Sequence, residues 1–88
     1  MQLAILVRKP SETEIRQMEA CPEWSCQPSE FHWFYSDTET CLIKKGRARL
    51  SYEGGAVDIS PGDLVTLPKG LSCVWQVMEA ISKHYRFE

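Results

Sequence analysis

Glu39 and Cys73 are the two side chains of this sequence best placed to do chemistry. Glu39 stands seven positions before Gly46, behind the aromatic run Phe31, Trp33, Tyr35. A carboxylate enclosed by such residues acts as a general base or anchors a polar ligand. Bonded by Tyr35 or a backbone amide, it is purely structural. Cys73 closes a second constellation, Gly62-Asp63 followed by Pro68-Lys69-Gly70. Its thiol becomes a nucleophile if the imidazole of His32 approaches it, and otherwise packs as a small apolar group. A zinc held by Cys21, Cys26, Cys41 and Cys73 would usually take paired ligands from tight knuckles, and these intervals are irregular. Lys44, Lys45, Arg47 and Arg49 form a basic cluster that reads as a solvated face. His84, between Lys83 and Tyr85, reads as solvent-facing.

The elements that must position these residues follow from periodicity. Leu3 to Val7 reads as a short strand stopped by Pro10. Ser11 lies three residues before Glu14, a capping box that predicts a helix over Glu12 to Glu19. Pro22 and Pro28 bracket Trp24 in an extended stretch. From Phe31 the period becomes two, with Phe31, Trp33 and Tyr35 on one face and His32 and Phe34 on the other. The bulkier set is expected to face the core, and Cys41 is expected there too. Further strands are predicted over Thr40 to Lys45, Arg47 to Tyr52, Ala56 to Ile59, Asp63 to Leu67, Ser72 to Met78 and Ile81 to Phe87. They are separated by Gly46, a Gly54-Gly55 hairpin, Pro61-Gly62, Pro68 to Gly70, and a Glu79-Ala80 turn. This spacing describes an all-β sandwich or barrel.

Composition narrows the partners. The 88 residues make one domain, 1–88, with no room for a second. A chain of this size has a modest core, and oligomerisation is a route to further burial. The net charge of −2 offers no basic face for nucleic acid. Leu3 to Val7 is too short to span a membrane, and it is followed rather than preceded by Arg8 and Lys9, the wrong order for a signal peptide. The cysteines therefore read as reduced thiols of a cytoplasmic protein.

Six residues separate Glu39 from Gly46, and five separate Gly62 from Pro68-Lys69-Gly70. These intervals resemble the two motifs of the cupin superfamily, small β-barrels that place metal ligands in the barrel mouth. The chain also resembles short single-domain cupins related to the cupin domain of (S)-ureidoglycine aminohydrolase. The likeness rests on Phe31, Trp33, Tyr35, Glu39, Cys41, Gly62 to Val65, Pro68 to Gly70, Cys73, Trp75 and Lys83 to Tyr85. It implies an RmlC-like jelly-roll barrel with one short N-terminal helix, paired as a homodimer. It also implies a pocket walled by Trp33, Tyr35, Glu39, Cys73 and Trp75.

The motif histidines are largely replaced. The first two positions hold Trp33 and Tyr35, or His32 and Phe34, according to spacing, the third holds Cys73, and the motif's asparagine is replaced by Val77. No cofactor is expected on this reading. The alternative is one divalent metal, such as zinc, manganese, iron or nickel, held by His32, Glu39 and Cys73, and it requires His32 to face inward. The expected function is binding of a small polar molecule. A metal-assisted enzyme acting on a ureido, keto or sugar-like substrate is one alternative. A barrel plugged by its own aromatics and working through protein contacts is another.

Overall fold

The computed structural model describes residues 3–88. Residues 1 and 2, which the single-domain expectation includes, lie outside them. In chain order the elements are β1 Leu6–Arg8, α1 Glu12–Glu19, β2 Glu23–Cys26, β3 Ser29–Phe34, β4 Glu39–Tyr52, β5 Gly55–Ile59, β6 Leu64–Leu67 and β7 Ser72–Phe87. All ladders are antiparallel.

Two long strands organise the molecule. β4 and β7 pair along nearly their whole lengths, from Glu39 opposite Phe87 to Tyr52 opposite Cys73. The first half of β4 also carries β6, which carries β1, and the last half of β7 carries β2. The other ends carry β5 and β3. The sheet is thus two halves sharing one bent ribbon, and their inner faces enclose a single core of Ile5, Tyr35, Cys41, Ile43, Ala48, Leu50, Val65, Trp75 and others. This is the all-β jelly-roll architecture of a cupin.

The bend is made in β4. Register shifts fall between Ile43 and Lys45, Lys45 and Arg47, and Arg47 and Ala48. Inward residues are accordingly odd-numbered before the shifts and even-numbered after them: Cys41 and Ile43, then Ala48 and Leu50. Gly46 is required here, with φ at 84° and a position where a Cβ would lie 2.2 Å from the Ala80 carbonyl oxygen.

Two expected breaks are therefore absent. Thr40–Lys45 and Arg47–Tyr52 form one strand of 14 residues, because Gly46 bulges the ladder without ending it. Ser72–Met78 and Ile81–Phe87 form one of 16 residues, and Glu79-Ala80 is not a turn. The inward parity of β7 is the same on both sides of this stretch, with Val77 and Ile81 both buried, and exposed Glu79 between them pairs with Arg47 across the ladder. The hairpin turn occupies Glu53-Gly54, one residue earlier than expected, and positive φ falls on Gly55. The first strand begins at Leu6 rather than Leu3.

Helix α1 has the expected bounds and capping box: Ser11 Oγ accepts from the Glu14 amide, and the Glu14 carboxylate accepts from the Ser11 amide. The Arg8 guanidinium also pairs with Glu14 and holds its carboxyl down at about 2. Met18 seats the helix against Leu42 and Leu64 on the outer face of the sheet. No helix among the described residues is long and apolar enough to cross a membrane.

Candidate functional site

Strand alternation carries one set of large side chains to the same end of the sandwich. They are Trp24 from β2, Phe31 and Trp33 from β3, Tyr35 just beyond it, Glu39 from β4, and Trp75, Lys83, Tyr85 and Phe87 from β7. Together they line a solvent-open cavity of about 210 Å³. Trp33 and Phe87, each about half exposed, stand at its rim, whereas Tyr35, Trp75, Glu39 and Lys83 are buried.

The aromatic wall is tightly organised. Phe31 and Trp75 stack with centroids 6.0 Å apart and planes within 7°. Trp24 meets both edge-on at 6.2 Å. Trp75 Nε1 donates to Tyr35 Oη at 3.1 Å, which fixes both rings. Burial, reinforced by the charge of Glu39, pushes the Tyr35 phenol far up, so it remains a neutral hydroxyl.

Within this wall lies one ion pair. Lys83 Nζ donates to Glu39 Oε2 at 2.7 Å, with both side chains under a tenth exposed. The ammonium also sits 4.5 Å from the Trp75 ring centroid and 5.0 Å from that of Trp24, so aromatic faces supplement the carboxylate. The partner of Glu39 is therefore a lysine, not Tyr35 or a backbone amide. Lys83 stands opposite Ile43 and Trp24, while Glu39 stands opposite Phe87. Its long stem thus runs along the inner face to close the pair. Sequence reasoning missed Lys83 as a site residue. The signal was present, since Ile81, Lys83 and Tyr85 continue the parity of Cys73 and Trp75.

Of the expected pocket residues, the structure places Trp33, Tyr35, Glu39 and Trp75 on the cavity lining. Cys73 is buried in the core opposite Trp33 and is not part of that lining. Burial pushes its thiol up to about 11, with Lys83 lowering it and Glu39 raising it by their charges. Burial likewise pushes Cys41 up to about 12 in the core. Cys73 thus lacks the activation a nucleophilic thiol needs.

His32 is exposed on the opposite face of β3 from Trp33, away from Glu39 and Cys73. The donor set His32, Glu39, Cys73 is therefore not assembled. Among the described residues no group of three or more His, Cys, Asp or Glu side chains could hold a metal ion. Trp33 and Tyr35, which hold the motif's histidine positions in one of the two spacings, line the cavity, and Glu39 is committed to Lys83. The residues present do not fit a cupin metal centre.

His84 departs from its expected exposure and is buried on the outer face. Its Nδ1 lies 3.1 Å from the Cys21 carbonyl oxygen, which can only accept, so that nitrogen carries the proton. The basic cluster is a paired surface, with Lys44 on Glu23, Arg47 on Glu79 and Arg49 on Asp58.

Comparison with known proteins agrees with this geometry. A DUF861 family protein from Thermotoga maritima superposes with a TM-score of 0.91 at 39% identity, over 97% of this chain and 100% of that one. The EutQ protein of Clostridium difficile gives 0.70 at 20% identity, over 94% and 66%. A putative ethanolamine utilization protein Q from Salmonella typhimurium gives 0.68 at 20%, over 74% and 53%. The last two similarities speak for the fold alone. No curated protein matches the chain. The family described as the EutQ-like cupin domain matches residues 13–85, a span that takes in α1 but for its first residue, both motif regions and every residue of the cavity except Phe87. With its barrel, its cavity and its full-length likeness to the Thermotoga maritima protein, this chain belongs to the EutQ-like cupin domain family.

Proposed function

We propose that this protein binds a small polar molecule in the aromatic cavity at the mouth of its barrel. The observation that carries the reading is the Glu39–Lys83 pair on the cavity lining. Well-packed apolar side chains would fill the same space with equal or greater stability. A charged pair beneath an open aromatic mouth is explained by something polar that reaches it. Trp33 and Phe87 would cover such a molecule, and Glu39 and Lys83 would orient it.

The test is a screen of small polar molecules by thermal shift, followed by NMR titration. A hit should raise Tm increasingly with its concentration, shift the resonances of Trp33, Tyr85 and Phe87, and lose its effect in Glu39→Gln. A screen in which nothing perturbs those three residues overturns the reading. The metal-assisted alternative is not favoured by the geometry, because His32 lies on the wrong face. Kinship with the ureidoglycine aminohydrolase cupins and pairing into a homodimer belong to the proposal as implications of the sequence resemblance. A light-scattering mass equal to that of the 10.1 kDa chain would remove the dimer.

A further inference from the structure

Among the cavity-lining residues, Glu39 and Lys83 are the acid and the base, and they cancel. The rest of the lining is aromatic, and the Tyr35 hydroxyl is held neutral. The ammonium of Lys83 is already compensated by Glu39 Oε2 and by the faces of Trp24 and Trp75. Lys83 engages only one oxygen of Glu39. Among the described residues no buried side-chain oxygen or nitrogen lacks a partner, and no bond runs to Oε1, so that second oxygen opens to the cavity as a free acceptor. On the other side, an ammonium has three protons, and Glu39 takes one.

Resting on the binding function proposed above, we infer that the cavity selects an uncharged, flat ligand whose polar edge carries a hydrogen-bond donor beside an acceptor, as an amide or lactam does. Its N–H meets Glu39 Oε1, its carbonyl accepts from Lys83 Nζ, and its flat body lies against the aromatic wall. Charged ligands do worse. A carboxylate must draw Lys83 away and leave Glu39 unpaired among aromatics. An ammonium must share Glu39 with Lys83 when two of the best ring faces are already taken. Each leaves a surplus charge where it is poorly solvated. The neutral group leaves the pair intact and adds a bond to each member.

The test uses three probes of one shape: benzamide, benzoate and benzylammonium, titrated into the isotope-labelled full chain. Wild type should bind benzamide about tenfold or more tightly than either ion, a difference of about 1.4 kcal/mol. Glu39→Gln, which leaves Lys83 unopposed, should move the preference to benzoate. Lys83→Met, which frees Glu39 and the faces of Trp24 and Trp75, should move it to benzylammonium. Should either variant fail to fold, the wild-type ranking decides alone. A wild type that prefers an ion through shifts at Trp33, Tyr85 and Phe87 overturns the neutral-ligand inference and leaves cavity binding standing. A wild type in which none of the three probes shifts those residues also overturns the inference, and the broader screen then decides the cavity.

Discussion

At the scale of single residues, the Glu39–Lys83 pair dominates the energetics of the interior. Removing one partner strands the other's charge away from water, and such losses run to about 3–5 kcal/mol. Glu39→Gln and Lys83→Met should each lower stability on that order in urea unfolding. The double variant should recover much of the loss, because neither charge is then left alone. Additive losses would mean that the pair is not coupled. The thiols divide by the same logic of burial. Cys21 and Cys26 are partly exposed, whereas Cys41 and Cys73 are buried and pushed up to about 12 and about 11. A thiol reagent at neutral pH should modify Cys21 and Cys26 in the folded protein and reach Cys41 and Cys73 only in denaturant. Cys41 was legible as core from its place between Glu39 and Ile43. Lys83 shares the parity of Cys73 and Trp75, but that parity carries across residues 79–80 only if β7 is one strand, and a lysine beyond an expected turn reads as surface.

At the scale of elements, local chemistry made the helix and long-range pairing made the strands. Ser11→Ala should cost about 1 kcal/mol by removing one half of the capping box, measurable as a fall in Tm. Gly46→Ala should cost on the order of 3–5 kcal/mol, since it combines an unfavourable φ with a clash against Ala80. A neutral outcome there would show that the bend does not depend on Gly46. Asp63, in the turn before β6, bears on the pH limits. Burial works to raise its carboxyl, but bonds from Lys9 at 2.8 Å and from the Ser60 amide at 2.9 Å outweigh it and hold the group below 3.8, its ordinary value. A depressed folded-state pKa stabilises above the unfolded value, and that contribution is lost as pH falls through the folded one. Asp63→Asn should therefore flatten the acid limb of the stability profile below pH 3.8 and lower stability at neutral pH. The turn expected at Glu79-Ala80 was misread for a related reason. A glutamate beside a small residue at the bend of a long strand looks like a turn, yet Arg47 across the ladder gives Glu79 a partner and the strand continues.

At the scale of the whole molecule, the cavity and the core share β4 and β7, so they should unfold together. Tryptophan emission, reporting Trp24 and Trp75 at the cavity, should lose its folded signal at the same denaturant concentration as backbone dichroism. Separate midpoints would show that the mouth opens independently of the sandwich. The radius of gyration, 12.1 Å, matches the value of about 12 Å for a compact chain of this length. Alternation, turn residues and the capping box, all readable in order along the chain, determined the all-β class, the helix and the face of β3 that turns inward. Those features depend on neighbours a few residues apart. The pairing of Glu39 with Lys83, the exclusion of Cys73 from the lining and the burial of His84 were decided only by tertiary structure. Each depends on the register of β7 against three other strands, and a register joining residues dozens of positions apart is set by the packing of the whole core.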